Sequence, residues 1–332
     1  MRRVEVSIPG SPYPVVVGSG AVSELEGYLT GQTVVVADPA AGDRIDLDLP
    51  VIEIRGGEGA KTMAGVEHLI AELERHRVGR DGTVVAVGGG SIGDLAGFAA
   101  SVWQRGVAVV QVPTTLLAMV DSSIGGKTGV NTATAKNSIG TFWQPRAVLA
   151  DLRYLDTLPP EQMESGWAEV VKYAMTLDPD LGGLEDLEEV VERSALCKAA
   201  VVAADEREAG LREVLNYGHT AGHGIEAASG YRVSHGRAVA WGMRVAVGIS
   251  ARLGLCDPHL AVEQDRLLAG HGLPGPVPEV TVEAVLAASR SDKKSRAGER
   301  RWVLLRGRGR PEPGHSVPEE VAADALAEIL HR

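Results

Sequence analysis

The segment 205–226, DEREAGLREVLNYGHTAGHGIE, carries the residue types best suited to chemistry. Its pattern predicts one helix over residues 206–228. On a helix that advances about 100° per residue, an arc of about 80° then holds an acid, a guanidinium, an amide and two imidazoles: Glu208, Arg212, Asn216, His219 and His223. A solvated helix face more often carries pairs of Glu and Lys. The pattern therefore indicates a catalytic or metal-binding face.

Two further segments could complete a metal site. His235 begins the next predicted helix, in SHGRAVAWGM, and Glu169 precedes Lys172 by one helical turn in GWAEVVKYA. Two imidazoles and one carboxylate leave one coordination position open, as a catalytic Zn²⁺ requires. The residues His219, His223 and His235 compete for the two imidazole positions, and periodicity does not choose between them.

A glycine-rich turn gives a second candidate site. VVAVGGGSIGDLAGF (84–98) matches G-x-G-x-x-G between a predicted strand and a predicted helix, which is the context in which backbone N–H groups bind a phosphate. An earlier loop, GGEGAK (56–61), offers Glu58 and Lys61 as further contacts. A tight turn without a ligand is the alternative. The position is unusual, because a standard dinucleotide fold carries this motif on its first strand.

Cations and small polar residues are concentrated in segment 111–145, where GGKT provides a lysine that could bind phosphate. Further cations lie at Arg105, Lys172, Lys198, Arg212, Lys293 and Lys294. The whole chain has 33 Lys and Arg against 44 Asp and Glu, for a net charge of −11. Clustered cations in an acidic chain indicate an anionic small-molecule substrate, with a phosphate and a carboxylate.

The composition narrows the class of protein. The net charge argues against nucleic acid or an anionic membrane as a partner. Two cysteines in 332 residues exclude a disulfide framework. The N-terminus lacks the apolar stretch of a signal peptide, and no run of 18 uncharged apolar residues could span a bilayer. We therefore expect a cytoplasmic protein.

The elements that must position these residues change in type along the chain. Strands are predicted at 32–39, 82–90 and 107–115, alternating with helices at 62–77 and 91–101, which is typical of a parallel, doubly wound sheet. Helices then dominate, at 160–177, 184–204, 206–228 and 235–253, before a strand at 300–307. The sequence thus predicts an α/β domain over 1–155 and a mainly α-helical domain over 156–332.

Seven segments, together extending over roughly residues 55–306, resemble the motifs of 3-dehydroquinate synthases in the same order. They are GGGSIGDLAGF, QRGVAVVQVPTTLLAMVDSSIGGKTGVN, AKNSIGTFWQP, GWAEVVKYA, DEREAGLREVLNYGHTAGHGIE, SHGRAVAWGM and SDKKSRAGERRWVLL. The resemblance implies a Rossmann-like N-terminal domain that binds NAD, a helical domain that binds Zn²⁺ or Co²⁺ and substrate, and a homodimer.

The resemblance also implies a lyase reaction of the shikimate pathway, which leads to chorismate and the aromatic amino acids. 3-Deoxy-D-arabino-heptulosonate 7-phosphate is converted to 3-dehydroquinate and phosphate. NAD transiently oxidises an alcohol, phosphate is eliminated, the ketone is reduced again, and an intramolecular aldol step closes the ring.

Site residues follow from the same resemblance, position by position. The metal ligands would be Glu169, His219 and His235. Catalytic roles would fall to Glu208, His223, Lys172 and Arg212. Substrate would be bound by Arg105, Asp121, Lys127, Asn137, Lys172, Lys198, Arg212, Asn216 and the pair Lys293 and Lys294. The cofactor would be bound by Glu58, Lys61, Gly89, Gly90, Ser91, Asp94, Thr114, Thr115, Lys136 and Thr157.

Three other functions compete with this one. Aminodehydroquinate synthases and other sugar-phosphate cyclases share most of these motifs. Cyclases whose substrate has no carboxylate usually carry other residues at the positions that would bind a carboxylate. A metal-dependent alcohol or glycerol dehydrogenase would produce NADH and would not need so many cations. A catalytically inactive scaffold would be expected to have lost some ligands, and none is missing.

Overall fold

The structure is a computed structural model, and it describes residues 1–41, 45, 47–133, 135–290 and 300–330. The chain divides into two compact units. The first comprises Met1–Pro159 and Asp186–Arg207, and the second comprises Pro160–Glu185 and Glu208–Arg332. No helix in the described ranges is long and apolar enough to cross a membrane.

The strands and helices of the described residues follow in chain order. The strands are Arg2–Val6 (β1), Tyr13–Val17 (β2), Thr33–Ala37 (β3), Val51–Glu53 (β4), Thr83–Gly88 (β5), Ala108–Pro113 (β6), Lys127–Val130 (β7), Ile139–Phe142 (β8), Ala147–Ala150 (β9), Trp302–Leu305 (β10) and Pro311–His315 (β11). The helices are Met63–Arg75 (α1), Gly90–Val102 (α2), Pro160–Thr176 (α3), Leu187–Ala204 (α4), His219–Ala228 (α5), His235–Arg252 (α6), His259–Ala269 (α7), Val282–Arg290 (α8) and Glu319–Leu330 (α9).

The first unit is built on a seven-stranded sheet with the order β1-β2-β9-β6-β5-β3-β4. Neighbouring strands are parallel except β1 and β2, which are antiparallel. All six residues of β5 are buried, as expected of a strand covered on both faces. The prediction of a parallel α/β sheet is confirmed.

The sheet order explains why the glycine-rich turn follows a later strand. The chain leaves β3 toward β4 on one side, whereas it leaves β5 toward β6 on the other side. Such a reversal creates a crevice at the carboxyl ends of the two strands, where ligands of doubly wound sheets bind. The turn Gly88–Gly90 therefore lies at the switch point of this sheet.

Helix α4 belongs to the first unit although it lies between two segments of the second. It packs against β1, β2 and the turn Ala118–Ser122. The Arg2 guanidinium donates to Glu192 at 2.6 Å and to Asp186 at 3.3 Å. This grouping differs from the single division predicted at residue 155, because α4 packs against strands from the N-terminal end of the chain.

The second unit is mainly helical, and α6 is its central element. Helix α6 packs against α3, α5, α7 and α9, and also contacts the small antiparallel sheet of β10 and β11. Twelve of its side chains or glycines are buried, from Gly236 to Ser250. A helix buried around most of its circumference is expected to be the centre of a core.

The single helix predicted over 206–228 is wrong. Residues Leu211–Asn216 form 3-10 turns, and α5 begins only at His219. Gly218 adopts a φ of +81°, and a Cβ there would lie 2.6 Å from Cγ of Met243. Glu208 also has a left-handed φ, of 59°. The polar residues of this segment therefore do not share one helix face.

Candidate active site

Three ligand-type side chains converge in the second unit. Glu169 lies in the middle of α3, whereas His219 and His235 are the first residues of α5 and α6. The Nε2 atoms of His219 and His235 lie 3.4 and 3.6 Å from Oε1 of Glu169. One ligand atom from each residue lies within 4.8 Å of the other two.

These separations fit a shared divalent ion. Two ligand atoms at about 2.0–2.1 Å from a tetrahedral Zn²⁺ lie about 3.3–3.4 Å apart. Good N–H···O hydrogen bonds are shorter, at about 2.7–3.2 Å. The carboxylate of Glu169 is fully buried, and neither oxygen makes a hydrogen bond of good geometry to a protein donor. The three residues therefore have the chemistry and spacing of a metal site.

The two imidazoles present the same nitrogen to Glu169 because a contact on the opposite side orients each ring. Nδ1 of His219 lies 3.2 Å from the carbonyl oxygen of Tyr217. Nδ1 of His235 lies 3.2 Å from Oε2 of Glu226. Both partners accept a hydrogen bond, so Nδ1–H is the donor in each neutral ring and the lone pair on Nε2 is left for a metal.

The charged groups of this cluster strongly affect one another's pKa values. Burial raises the pKa of Glu169, but Lys172 and the two imidazoles outweigh burial and hold that pKa well below its usual range. Lys172 is 1% exposed and forms an ion pair with Glu169. Burial lowers the pKa of His235, whereas the neighbouring carboxylates of Glu169 and Glu226 raise it to about 10. A metal must therefore compete with a firmly held proton.

Among the remaining predicted residues of the second unit, His223 lies beside this cluster. The ring centroid of His223 is 5.3 Å from that of His219 and 6.2 Å from that of His235. Arg212 is buried at 1% exposure, whereas Glu208 and Asn216 are partly exposed. The lysines Lys293 and Lys294 lie outside the described residues.

The glycine-rich turn of the first unit lies so close to Thr115 and Ser122 that two of its positions leave no room for a larger residue. A Cβ on Gly89 would lie 3.0 Å from Thr115, and one on Gly90 would lie 2.7 Å from Ser122. A small cavity over the turn is lined by Gly88, Gly89, Gly90 and Ser122, among others. Gly90 begins α2, so the helix N-terminus is directed at this point, where the dipole favours an anion.

The GGEGAK loop meets the glycine-rich turn through a dense polar network. Ser91 accepts a hydrogen bond from the Gly57 N–H at 2.9 Å. The Nζ atom of Lys61 lies 2.7 Å from Oδ2 of Asp94 and also donates to Oδ1 of Asn137. Burial raises the pKa of Asp94 although Lys61 opposes that shift. The structure thus brings Asn137, which was predicted to bind substrate, together with residues predicted to bind the cofactor.

The other predicted residues of the first unit are more dispersed. Lys198 on α4 forms an ion pair with Asp121 and donates to its backbone oxygen at 2.7 Å. Lys127 begins β7 with an exposed side chain, and Arg105 is exposed with a left-handed φ of 68°. Thr114 is buried after β6, Thr115 and Lys136 are half-buried, and Thr157 is exposed.

Three polar residues beside these sites were missed by sequence reasoning. Asn131 donates to Glu58 at 2.8 Å and accepts from the Asn137 N–H at 2.8 Å. Asp38 follows β3 at the switch point, where a Cβ on Gly56 would lie 2.3 Å from its carboxylate. An acid directly after an apolar strand was a usable signal for Asp38. Glu226 lies on α5 in the GHGIE motif and could have been recognised as a partner for a histidine.

Solved structures that resemble the chain define its fold class. A 2-deoxy-scyllo-inosose synthase complexed with carbaglucose-6-phosphate, NAD⁺ and Co²⁺ has a TM-score of 0.88 at 27% identity, with 99% of this chain and 100% of that chain covered. A 2-epi-5-epi-valiolone synthase from Streptomyces hygroscopicus, with NAD⁺ and Zn²⁺ bound, has a TM-score of 0.88 at 27% identity, with 96% of this chain and 97% of that chain covered. A probable glycerol dehydrogenase from Sinorhizobium meliloti shares the fold alone, with a TM-score of 0.65 at 16% identity. The fold is that of the dehydroquinate synthase-like sugar-phosphate cyclases.

Sequence comparisons define the family more narrowly. The family model of the 3-dehydroquinate synthase N-terminal region matches residues 51–165, and that of the C-terminal region matches residues 166–295. A 3-dehydroquinate synthase of Acidithiobacillus ferrooxidans is 42% identical, with 99% of both chains covered. The 3-dehydroquinate synthase of Gloeobacter violaceus is 41% identical, with 98% of this chain and 99% of that chain covered. The chain belongs to the 3-dehydroquinate synthase family, and the predicted resemblance is confirmed.

Proposed function

We propose that this chain converts 3-deoxy-D-arabino-heptulosonate 7-phosphate to 3-dehydroquinate and phosphate. The observation that carries the proposal is the convergence of Glu169, His219 and His235 at separations that suit a divalent ion. These residues lie in a chain that matches the family over both of its halves.

The proposed cofactors are NAD and one Zn²⁺ or Co²⁺. Support comes from the cyclases of the same fold, whose structures contain NAD⁺ with Co²⁺ or Zn²⁺. Glu169, His219 and His235 would hold the metal. The glycine-rich turn with the polar network around Lys61 would hold the dinucleotide, with Asp38 as an additional contact at the switch point. When bound, NAD would accept and return a hydride, and the metal would polarise a substrate oxygen.

The proposed roles of the chain's own residues follow from charge and position. Lys172 neutralises Glu169 and presents a buried cation beside the metal ligands. His223 and Glu208 are the proposed proton carriers, since both side chains are half-buried and carry groups that can accept and donate a proton. Cations bind the two anionic groups of the substrate. The proposed substrate-binding residues are Arg105, Asp121, Lys127, Asn137, Lys198, Arg212, Asn216, Lys293 and Lys294.

The cellular location and the oligomeric state of this chain are further proposals. We propose a cytoplasmic location, supported by the composition and by the helices, none of which in the described ranges could span a membrane. We also propose a homodimer. Light scattering of the purified chain would report the mass of one 34.8 kDa chain if the dimer is wrong.

Phosphate release from the heptulosonate phosphate tests the proposed activity. Release should require NAD in catalytic amounts, should stop with a chelator, and should resume after Zn²⁺ or Co²⁺ is restored. No NADH should accumulate, because the hydride returns to the substrate. Steady NADH formation would support a dehydrogenase instead. Faster turnover of the 4-amino analogue than of the heptulosonate phosphate would support an aminodehydroquinate synthase.

A further inference from the structure

Glu226 is a buried acid beside the proposed metal ligands, and neither the motif analysis nor the proposed chemistry gives it a role. Its side chain is 7% exposed, on the third turn of α5. Its Oε2 atom lies 3.2 Å from Nδ1 of His235, nine residues later in the chain. Ionised carboxylates are seldom this buried unless they are paired.

We propose that Glu226 is a positioning residue that fixes the tautomer and ring orientation of His235 for metal binding. A carboxylate accepts a hydrogen bond from Nδ1–H, so the lone pair of the neutral ring is placed on Nε2. That nitrogen is the one directed at Glu169, at 3.6 Å. Carboxylate–histidine pairs of this kind also make the imidazole a stronger donor to a metal.

The two histidines differ in how they are held, which makes the role of Glu226 testable. Nδ1 of His219 faces the backbone carbonyl of Tyr217, which no side-chain substitution removes. His235 instead depends on a side chain. A variant at Glu226 therefore changes the outer contact of one ligand and leaves those of His219 and Glu169 in place.

This inference rests on the proposed metal site, and the experiment separates the two. The dissociation constant for Zn²⁺ is measured by chelator competition on the full metal-free chain and on Glu226→Gln, Glu226→Asp and Ser229→Ala. Ser229 is the matched control, since its hydroxyl donates at 2.8 Å to the backbone oxygen of Glu226 and does not involve the carboxylate. Loss of an outer partner weakens metal binding by about 10- to 100-fold, and we expect this for Glu226→Gln.

The variants give distinct outcomes. Glu226→Asp should weaken Zn²⁺ binding, because the shorter side chain lengthens the contact, and Ser229→Ala should bind as the parent does. The visible spectrum of bound Co²⁺ should shift in Glu226→Gln, which a remote packing defect would not cause. Unchanged Zn²⁺ affinity in Glu226→Gln overturns the inference, as does equal loss in Ser229→Ala. Unfolding of both Glu226 variants without metal also overturns it, because the role would then be structural. Failure of the parent chain to bind Zn²⁺ contradicts the proposed metal site instead.

Discussion

The polar network around Lys61 and the cluster around Glu169 are both buried and charged, yet they are built in different ways. In the first, cation, acid and amides bond to one another at ordinary distances, such as 2.7 Å between Lys61 and Asp94. In the second, the nitrogens of His219 and His235 stand 3.4 and 3.6 Å from Glu169 and are fixed from behind by other groups.

This contrast separates residues that stabilise a loop from residues that stabilise a bound ion. The Lys61 network satisfies its own hydrogen bonds, so it holds the GGEGAK loop against the glycine-rich turn whether or not a dinucleotide is bound. The Glu169 cluster directs its ligand atoms at a common point. Substitutions should therefore lower the stability of the chain in the first region and metal affinity in the second.

The largest effect is expected for His235→Ala. Loss of a direct ligand should weaken Zn²⁺ binding by more than the roughly 100-fold that removal of an outer partner causes. The metal-free variant should still fold and unfold cooperatively in urea, because one side chain does not hold a core of this size. His259→Ala is the control, since His259 also begins a helix but is exposed. Metal content by mass spectrometry that matches the parent would contradict the ligand assignment.

Lys61→Met should lower the stability of the chain and leave its metal affinity unchanged. Lys61 is 3% exposed, and its loss leaves Asp94 and Asn137 without their donor. Hydrogen bonds to charged groups contribute about 1.5–3 kcal/mol, so the free energy of unfolding should fall by about 2–3 kcal/mol. Urea denaturation measures it, with Arg75→Met as the control because Arg75 makes an exposed pair with Glu72. Equal stability in both variants would show that the network does not hold the loop.

Lys127→Ala and Arg212→Ala compare an exposed and a buried cation among the proposed substrate-binding residues. Lys127 is exposed, so its variant should keep the parental stability within about 0.5 kcal/mol while kcat/KM falls about 10- to 150-fold. Arg212 is 1% exposed, and its truncation should lower kcat/KM and also destabilise the chain by roughly 2 kcal/mol or more. Steady-state kinetics and urea denaturation on both variants check this. Normal kcat/KM in Lys127→Ala would remove that lysine from the site.

The smallest effect is expected for Asp151→Asn, a buried acid outside both regions. Burial raises the pKa of Asp151, but hydrogen bonds from Arg153 and from the N–H groups of Gly20 and Val22 outweigh burial and lower it. A lowered folded-state pKa stabilises the chain above the unfolded pKa of about 3.9, and this contribution is lost as pH falls.

At pH 7 the Asn variant should therefore be less stable by about 1–2 kcal/mol, since one oxygen still accepts hydrogen bonds. The difference should shrink between pH 5 and pH 3. Denaturation curves across that range measure it, while Zn²⁺ affinity should remain parental at pH 7. A difference that grows as pH falls would show that the pKa is raised instead.

Much of the α/β unit could be predicted from the sequence because its signals are local. Buried β-branched runs gave β3, β5 and β6, and the glycine-rich turn falls between β5 and α2 as expected. The switch point at β3 and β5 could not be predicted, since strand order depends on pairings between distant segments. For this reason the late position of the motif looked unusual.

The sequence indicated which types of residue form the candidate site, but not how they are arranged in space. Helical periodicity placed His219 and His223 on one face with Glu208, but left-handed backbone at Glu208 and Gly218 breaks that helix. Periodicity assumes an uninterrupted helix, and Gly218, whose φ is +81° and which leaves no room for a Cβ beside Met243, violates that assumption. The approach of Glu169, His219 and His235 depends on the packing of α3, α5 and α6, which no local pattern encodes.

The position of α4 has a consequence for how the gene can be divided. A fragment ending at Pro159 would encode β1 and β2 without the helix that packs against them, and Arg2 would lose Glu192 and Asp186. The complementary fragment would carry α4 with no sheet to receive it. Neither half is therefore an independent folding module, and expression of an isolated nucleotide-binding domain should yield aggregated protein. A shortened chain in which a flexible linker joins residues 1–159 to Asp186–Arg207 would restore a complete unit.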